Sequence, residues 1–103
     1  MVNSNIEFLD IGHNRIRQKG LQAIIQGITN AKQTSLKSLG LRMNFINDDG
    51  FTTFFNEVIF SGISKLENLY ILENNLTQYK ALKLKEKLKQ KMYIDQFEKL
   101  FYL

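Results

Sequence analysis

The chain has 103 residues, of which 44% are hydrophobic and 23% are charged, and its net charge is +4. This length allows a single domain spanning residues 1–103, and the hydrophobic fraction is that of a chain with a packed core. The absence of cysteine excludes disulfides and cysteine-ligated metal sites. No apolar run reaches the ~18 residues of a membrane span, and the first residues lack the features of a secretory signal. These observations predict a cytoplasmic protein.

Three segments, thirty residues apart, share the pattern L-x-x-L-x-L-x-x-N-x-L, with isoleucine replacing leucine at some positions. They span residues 6–16, 36–46 and 66–76. Such a regular spacing indicates an internal repeat. The asparagines that occupy the same place in the three copies are Asn14, Asn44 and Asn74.

Apolar residues at helical spacing follow each motif and also recur every thirty residues. The recurring apolar sets are Leu21, Phe51 and Ala81, then Ile24, Phe54 and Leu84, then Ile28, Val58 and Leu88. Each unit therefore predicts a short strand, a turn and an amphipathic helix, with units at about 6–35, 36–65 and 66–95. Gly20 and Gly50 lie where the chain enters the helix, and we expect them to supply a positive φ there.

The last residues, 96–103, allow two interpretations. Phe97, Leu100 and Tyr102 have the spacing of a fourth strand. The alternative is a C-terminal capping helix from Met92 to Leu103.

The three motifs resemble leucine-rich repeats, and the period with a helix in each unit resembles the ribonuclease-inhibitor-like subtype. The resemblance covers about residues 6–91. It implies an α/β solenoid shaped as a short horseshoe arc, with parallel strands on the concave face and helices on the convex face. The third unit departs from the pattern, because Lys80 replaces the glycine and the following helix is highly charged.

The asparagines are best explained as structural. Each follows a strand at a place where the chain curves into the core and backbone groups lose their sheet partners. An amide side chain offers donors and an acceptor, so it can bond those groups and link neighbouring units. We therefore expect a structural ladder and no ligand role.

Strand residues that do not enter the core are predicted to project from the concave face and to bind a protein partner. Arg42 and Tyr70 are the strongest candidates, because arginine and tyrosine contribute heavily to interfaces. The predicted partner-binding set is Phe8, Asp10, His13, Arg42, Met43, Tyr70, Leu72 and Glu73.

No pattern of residues predicts catalysis, a cofactor or a bound metal. His13 is the only histidine, and Asp10 is the only nearby carboxylate in a suitable register. Residues 47–50, NDDG, lack the rest of a calcium loop and predict a turn with helix capping. Nucleophile and phosphate-loop motifs are also absent from the sequence.

The positive charge is concentrated in residues 80–91, which hold six lysines opposed only by Glu86. With Ala81, Leu84 and Leu88 facing the core, these lysines fall on the solvated side of a helix. The rest of the chain is near neutral, so the charge does not indicate nucleic acid. An acidic protein partner, such as a tubulin surface, is the alternative.

Together these features predict a non-catalytic scaffold module that contacts other protein subunits, with no nucleic acid, membrane or small-molecule substrate as partner. We expect it to be part of a longer repeat protein or of a larger assembly, and its composition suggests a cytoskeletal or ciliary setting. The alternative is a regulator of a small GTPase, since similar repeats occur in the family that activates Ran.

Overall fold

The computed structural model describes residues 6–30 and 35–100, which form strands and helices in alternation. The strands are β1 (Phe8–Asp10), β2 (Ser38–Gly40), β3 (Asn68–Tyr70) and β4 (Tyr93–Ile94). The helices are α1 (Arg17–Asn30), α2 (Asp48–Phe54) and α3 (Gln78–Lys87). A π-helical turn (Phe55–Ile59) continues α2, and a 3-10 helix (Asp95–Lys99) follows β4. No helix in the described part of the chain is long and apolar enough to cross a membrane.

The four strands form one parallel sheet in chain order. Leu9 lies opposite Leu39, and Leu39 lies opposite Leu69, so the first three strands keep an offset of thirty residues. A parallel pair requires a long crossover between its strands, and the helices occupy those crossovers. The sheet therefore has one face packed against helices and one face without them.

The core lies between the sheet and the helices. Leu39 and Leu69 of the strands and Phe51, Phe54 and Val58 of the second helical segment are fully buried. The other helices contribute Leu21, Ile25, Ala81 and Leu84. The apolar positions predicted from helical spacing are thus buried or half-buried on the side that faces the sheet.

The prediction that Gly20 and Gly50 supply a positive φ is wrong. Both glycines lie in helical backbone, and among the described glycines only Gly62 has a positive φ. Their role is to allow close packing instead. A Cβ would lie 2.5 Å from Ile16 Cγ2 at Gly20 and 2.9 Å from Ile46 Cγ2 at Gly50.

The third unit has no glycine at this position, and it indicates when a side chain is tolerated there. Lys80 carries a side chain at the glycine position, and the residue four places earlier is Leu76 rather than isoleucine. Leucine lacks the branch at Cβ that brings Cγ2 towards the helix, so space remains for the Cβ of Lys80. We therefore expect the residue types at these two positions to be coupled.

The described residues up to Leu100 differ from both interpretations of residues 96–103. The fourth strand is Tyr93–Ile94, four residues before Phe97, and Tyr93 pairs with Asn68. Phe97 lies in the 3-10 helix and packs its ring 5.8 Å from that of Phe55. The strand arrives early because α3 ends at Lys87 and only a short connection follows. The long capping helix is also replaced by five residues of 3-10 helix, and Tyr102 lies outside the described residues.

Candidate interaction surfaces

Asn44 links the first and second units through its buried side chain. Its Oδ1 accepts the backbone N–H of Asn14 at 2.7 Å and that of Ile16 at 3.3 Å. Its Nδ2 donates to the carbonyl oxygens of Ile11 and Arg42 at 2.9 and 3.2 Å. All four partners are backbone groups of the segments that follow the strands. One amide therefore satisfies donors and acceptors of two units.

Asn74 makes the same connection between the second and third units. Its Oδ1 accepts from the backbone N–H groups of Asn44 and Ile46, and its Nδ2 donates to Leu41 and Ile71 carbonyls. The Nδ2 of Asn14 donates only to carbonyls of its own unit, at Ile11 and Gly12. These bonds hold the turns after the strands in fixed positions relative to one another.

The helix-free side of the strands, which we call the sheet face, carries four of the eight residues predicted to bind a partner. Phe8, Asp10, Arg42 and Tyr70 line a shallow pocket of about 190 Å³ together with Gly40. Phe8 is 61% exposed. A Cβ at Gly40 would lie only 2.6 Å from Asp10 Oδ1, so the glycine makes room for that carboxylate.

The charged groups of the sheet face are held in place. Asp10 Oδ1 accepts the backbone N–H of Gly12 at 3.0 Å. Arg42 donates from Nε to Asp95 Oδ2 at 2.8 Å, and its guanidinium lies 5.3 Å from the ring centre of Tyr70. The hydrogen bond to Asp95 raises the pKa of Arg42 above its ordinary value. Arg42 is therefore a charged, anchored side chain and not a freely mobile one.

Asp95 contributes to this surface by holding Arg42, and the sequence pattern did not reveal it. It is only 2% exposed, and its Oδ1 accepts the backbone N–H of Ile71 at 2.7 Å. In the neighbouring strands the equivalent N–H groups donate to main-chain carbonyls, from Ile11 to Gly40 and from Leu41 to Tyr70. The Asp95 carboxylate thus replaces a strand carbonyl at the end of β3 while also binding Arg42. The sequence signal that could have identified Asp95 is an acidic residue placed directly after the apolar Ile94.

Three other predicted partner-binding residues lie beside the sheet face, in the turns that follow the strands. His13, Met43 and Glu73 line a separate depression of about 340 Å³ with Arg15 and Phe45. We call the exposed side chains of His13, Arg15, Arg17, Met43, Phe45 and Glu73 the loop edge.

Leu72, the last of the predicted residues, is half-buried between the two surfaces. Its carbonyl oxygen accepts the backbone N–H of Met43, and its own N–H lies 3.4 Å from Asp95 Oδ2. The predicted set is therefore divided between the sheet face and the loop edge. Arg15, Arg17, Phe45 and Tyr93 complete these surfaces and were not in the set.

His13 and Asp10, the pair considered for a metal in the sequence, line different depressions, one at the loop edge and one at the sheet face. Within residues 6–30 and 35–100, no group of three or more histidine, aspartate or glutamate side chains could hold an ion. Of this pair, Asp10 accepts the backbone N–H of Gly12 through Oδ1.

Comparison with known protein families agrees with the repeated strand–helix fold described above. Residues 2–24 match the family model described as Leucine Rich repeat. Together with the parallel sheet and its helices, this match supports a leucine-rich repeat protein. A comparison with curated proteins and one with solved structures each found no match. Leucine-rich repeats generally mediate protein–protein interaction and are typically non-catalytic.

Proposed function

We propose that this chain is a non-catalytic interaction module of a larger protein complex and that its sheet face binds a partner protein. The observation that carries the proposal is the exposed ring of Phe8 beside a pocket walled by Asp10, Arg42 and Tyr70. A large aromatic side chain at 61% exposure gains little from the fold, but it would gain apolar contact area at an interface.

The order of the pocket also favours binding. Arg42 is held by Asp95 and by the Tyr70 ring, and the Tyr70 ring lies 5.9 Å from that of Tyr93. Side chains that are already ordered lose less conformational entropy when a partner binds. Arginine and tyrosine in such positions are frequent centres of binding energy.

The chemistry of the pocket limits what enters it. Asp10 and Arg42 place opposite charges on two sides of a space of about 190 Å³, and Phe8 and Tyr70 supply apolar walls. A volume of this size accepts one side chain rather than a small-molecule substrate. The best-fitting partner presents an apolar or aromatic side chain flanked by polar groups.

Site-specific photo-crosslinking tests this proposal. A photoreactive phenylalanine analogue replaces Phe8 in one sample and Tyr79, which is exposed on α3, in a matched sample. Both proteins are exposed to extract of the source cells, and crosslinked partners are quantified by mass spectrometry. We expect a partner captured from position 8 and not from position 79.

Competition then establishes whether the captured protein uses the pocket. Unlabelled native chain should abolish crosslinking, whereas Phe8→Ala competitor should be about tenfold weaker. The Lys89→Ala competitor, altered at an exposed lysine outside the pocket, should match the native chain. Equal competition by all three proteins would contradict binding through the sheet face.

The alternative, regulation of a small GTPase, is tested with the native chain and the Arg15→Ala variant in a nucleotide-hydrolysis assay with purified GTPases. Arg42 already has a carboxylate partner in Asp95, whereas Arg15 is exposed. We expect the native chain to leave hydrolysis unchanged. Acceleration that is lost in Arg15→Ala would favour the GTPase regulator over the interaction module.

A further inference from the structure

The loop edge combines an unfavourable backbone conformation with large exposed side chains. His13, Arg15 and Arg17 have φ of 64°, 49° and 56°, and Met43, Phe45 and Glu73 have φ of 58°, 59° and 61°. Glycine adopts this left-handed region without strain, and a non-glycine residue there is uncommon. All six side chains are exposed, so core packing alone does not explain non-glycine residues at these positions.

We propose that the loop edge is a second binding surface, separate from the sheet face, for an acidic peptide segment that carries an aromatic or large apolar side chain. Backbone strain concentrates at binding sites, because the surrounding structure maintains a geometry that contacts require. The proposal does not depend on the sheet face binding a protein.

The backbone that presents these side chains is firmly held. His13 N–H donates to the Arg42 carbonyl at 3.0 Å, and Arg17 N–H donates to the Asn44 carbonyl at 3.0 Å. The N–H of Met43 donates to Leu72 in the same manner. The backbone of the loop edge is thus preorganised, which reduces the entropy that binding would cost.

Phe45 provides the apolar centre of this surface. Its ring is 49% exposed and lines two depressions, one of about 340 Å³ and one of about 270 Å³. Met43 borders the larger depression, and Gln18 and Asn75 border the smaller one. An aromatic or branched apolar side chain of a partner would cover the ring from the larger depression.

The charges around Phe45 select an acidic partner. The Arg17 guanidinium lies 5.4 Å from the centre of the Phe45 ring, and Arg15 lines the larger depression with Phe45. Glu73 is the only carboxylate that lines either depression among the described residues. Carboxylates on both sides of an apolar side chain would therefore meet guanidinium groups next to the ring, the geometry in which charge-assisted hydrogen bonds form.

The lysines of α3 and the following residues are the main competing site for an acidic ligand. There the ammonium groups of Lys83 and Lys87 lie over the rings of Tyr79 and Phe60, at 5.4 and 5.8 Å. Binding at those lysines would follow the charge of a ligand and would not require Phe45. This difference separates the two sites experimentally.

Fluorescence anisotropy with labelled peptides tests the proposal on the full chain. The probe is the peptide EEEFEEE, with EEEAEEE and KKKFKKK as matched controls. We expect the native chain to bind EEEFEEE about tenfold more tightly than EEEAEEE and to bind KKKFKKK weakly. Equal affinity for the first two peptides would overturn the proposal, because the apolar side chain would then contribute nothing.

Variants locate the binding site. Phe45→Gly and Arg15→Asn should each weaken EEEFEEE binding by about tenfold, because each removes a side chain that the peptide would contact. Both new residues tolerate positive φ, so the fold is left intact. Lys89→Ala and Phe8→Ala should bind as the native chain does. Loss of binding in Lys89→Ala alone would place the peptide on the lysines, and loss in Phe8→Ala alone would place it on the sheet face; either result overturns the proposal.

A stability measurement on the same samples excludes unfolding as the cause. The urea midpoint of Phe45→Gly should lie close to that of the native chain, because relief of the positive φ offsets the loss of a ring that is 49% exposed. A lower midpoint together with weaker binding would assign Phe45 to the fold and overturn its role as a binding residue. Crosslinking from position 8 should be unchanged in Phe45→Gly, so failure of this proposal and failure of the sheet-face proposal are distinguishable.

Discussion

The first and second strand–helix units carry similar residues at the same register, but the structure uses them differently. Leu9 is 37% exposed, whereas Leu39, directly opposite in the next strand, is fully buried. Asn14 is exposed and bonds to its own unit, whereas Asn44 is buried and bonds to two units. The contribution of a motif residue to stability therefore depends on whether its unit lies at an edge or in the interior of the sheet.

The leucines give the largest difference. Leu39→Ala removes a fully buried side chain from the centre of the sheet and should lower the free energy of unfolding by about 3–4 kcal/mol. Leu9→Ala should cost about 1 kcal/mol, because part of that side chain already contacts water. Urea denaturation of both variants checks the comparison. Equal losses would show that the first unit is buried as deeply in solution as the second.

The asparagines should differ by a smaller amount. Asn44→Ala leaves the N–H groups of Asn14 and Ile16 and the carbonyl of Ile11 without this side-chain partner, and should cost about 3 kcal/mol. Asn14→Ala removes bonds to the carbonyls of Ile11 and Gly12 in an exposed turn, where water can replace them, and should cost about 1 kcal/mol. Hydrogen exchange of the Ile16 amide gives an independent readout and should accelerate far more in Asn44→Ala. Comparable exchange in both variants would contradict protection of the Ile16 amide by Asn44.

Much of the fold, and less of the candidate sites, could be predicted from the sequence. The register of Leu9, Leu39 and Leu69 follows the thirty-residue spacing, because parallel strands pair at the repeat distance. The position of β4 could not be predicted in this way, since the shorter third unit interrupts the spacing. Asp95 also escaped prediction, because its role depends on an N–H that is left without a strand partner at Ile71.

The loop edge escaped prediction for a different reason. Positive φ at Phe45 and Met43 is a property of the folded backbone, and neither residue type suggests it. The prediction from the sequence placed His13, Met43 and Glu73 among the strand residues, whereas each lies in a turn. Patterns of apolar residues report packing well, but they carry little information about backbone conformation between the packed elements.

Glycine substitutions at helix entry sharpen the comparison between packing and propensity. Gly50→Ala would place a Cβ 2.9 Å from Ile46 Cγ2 and 3.2 Å from Leu21 Cδ2, and should cost about 2 kcal/mol. Gly27→Ala, in α1 with nothing within 4 Å of the new Cβ, should stabilise the protein by about 0.5–1 kcal/mol. The double variant Ile46→Leu with Gly50→Ala should recover part of the loss, as the natural pair Leu76 and Lys80 indicates. Strict additivity of the two substitutions would disprove the proposed coupling.

The smallest expected effect is the relief of positive φ, and it should be equal in the units compared. His13→Gly and Glu73→Gly each relieve a positive φ, of 64° and 61°, in exposed turns that occupy equivalent places in the first and third units. Because this strain arises within a single residue, both variants should gain the same amount, about 0.5 kcal/mol after the entropy of glycine in the unfolded chain is subtracted. Gln22→Gly, at an exposed position inside α1, is the matched control and should lose about 1 kcal/mol. If His13→Gly and Glu73→Gly differ as strongly as the leucine and asparagine pairs do, the loop edge is stabilised by contacts between units rather than by local backbone geometry.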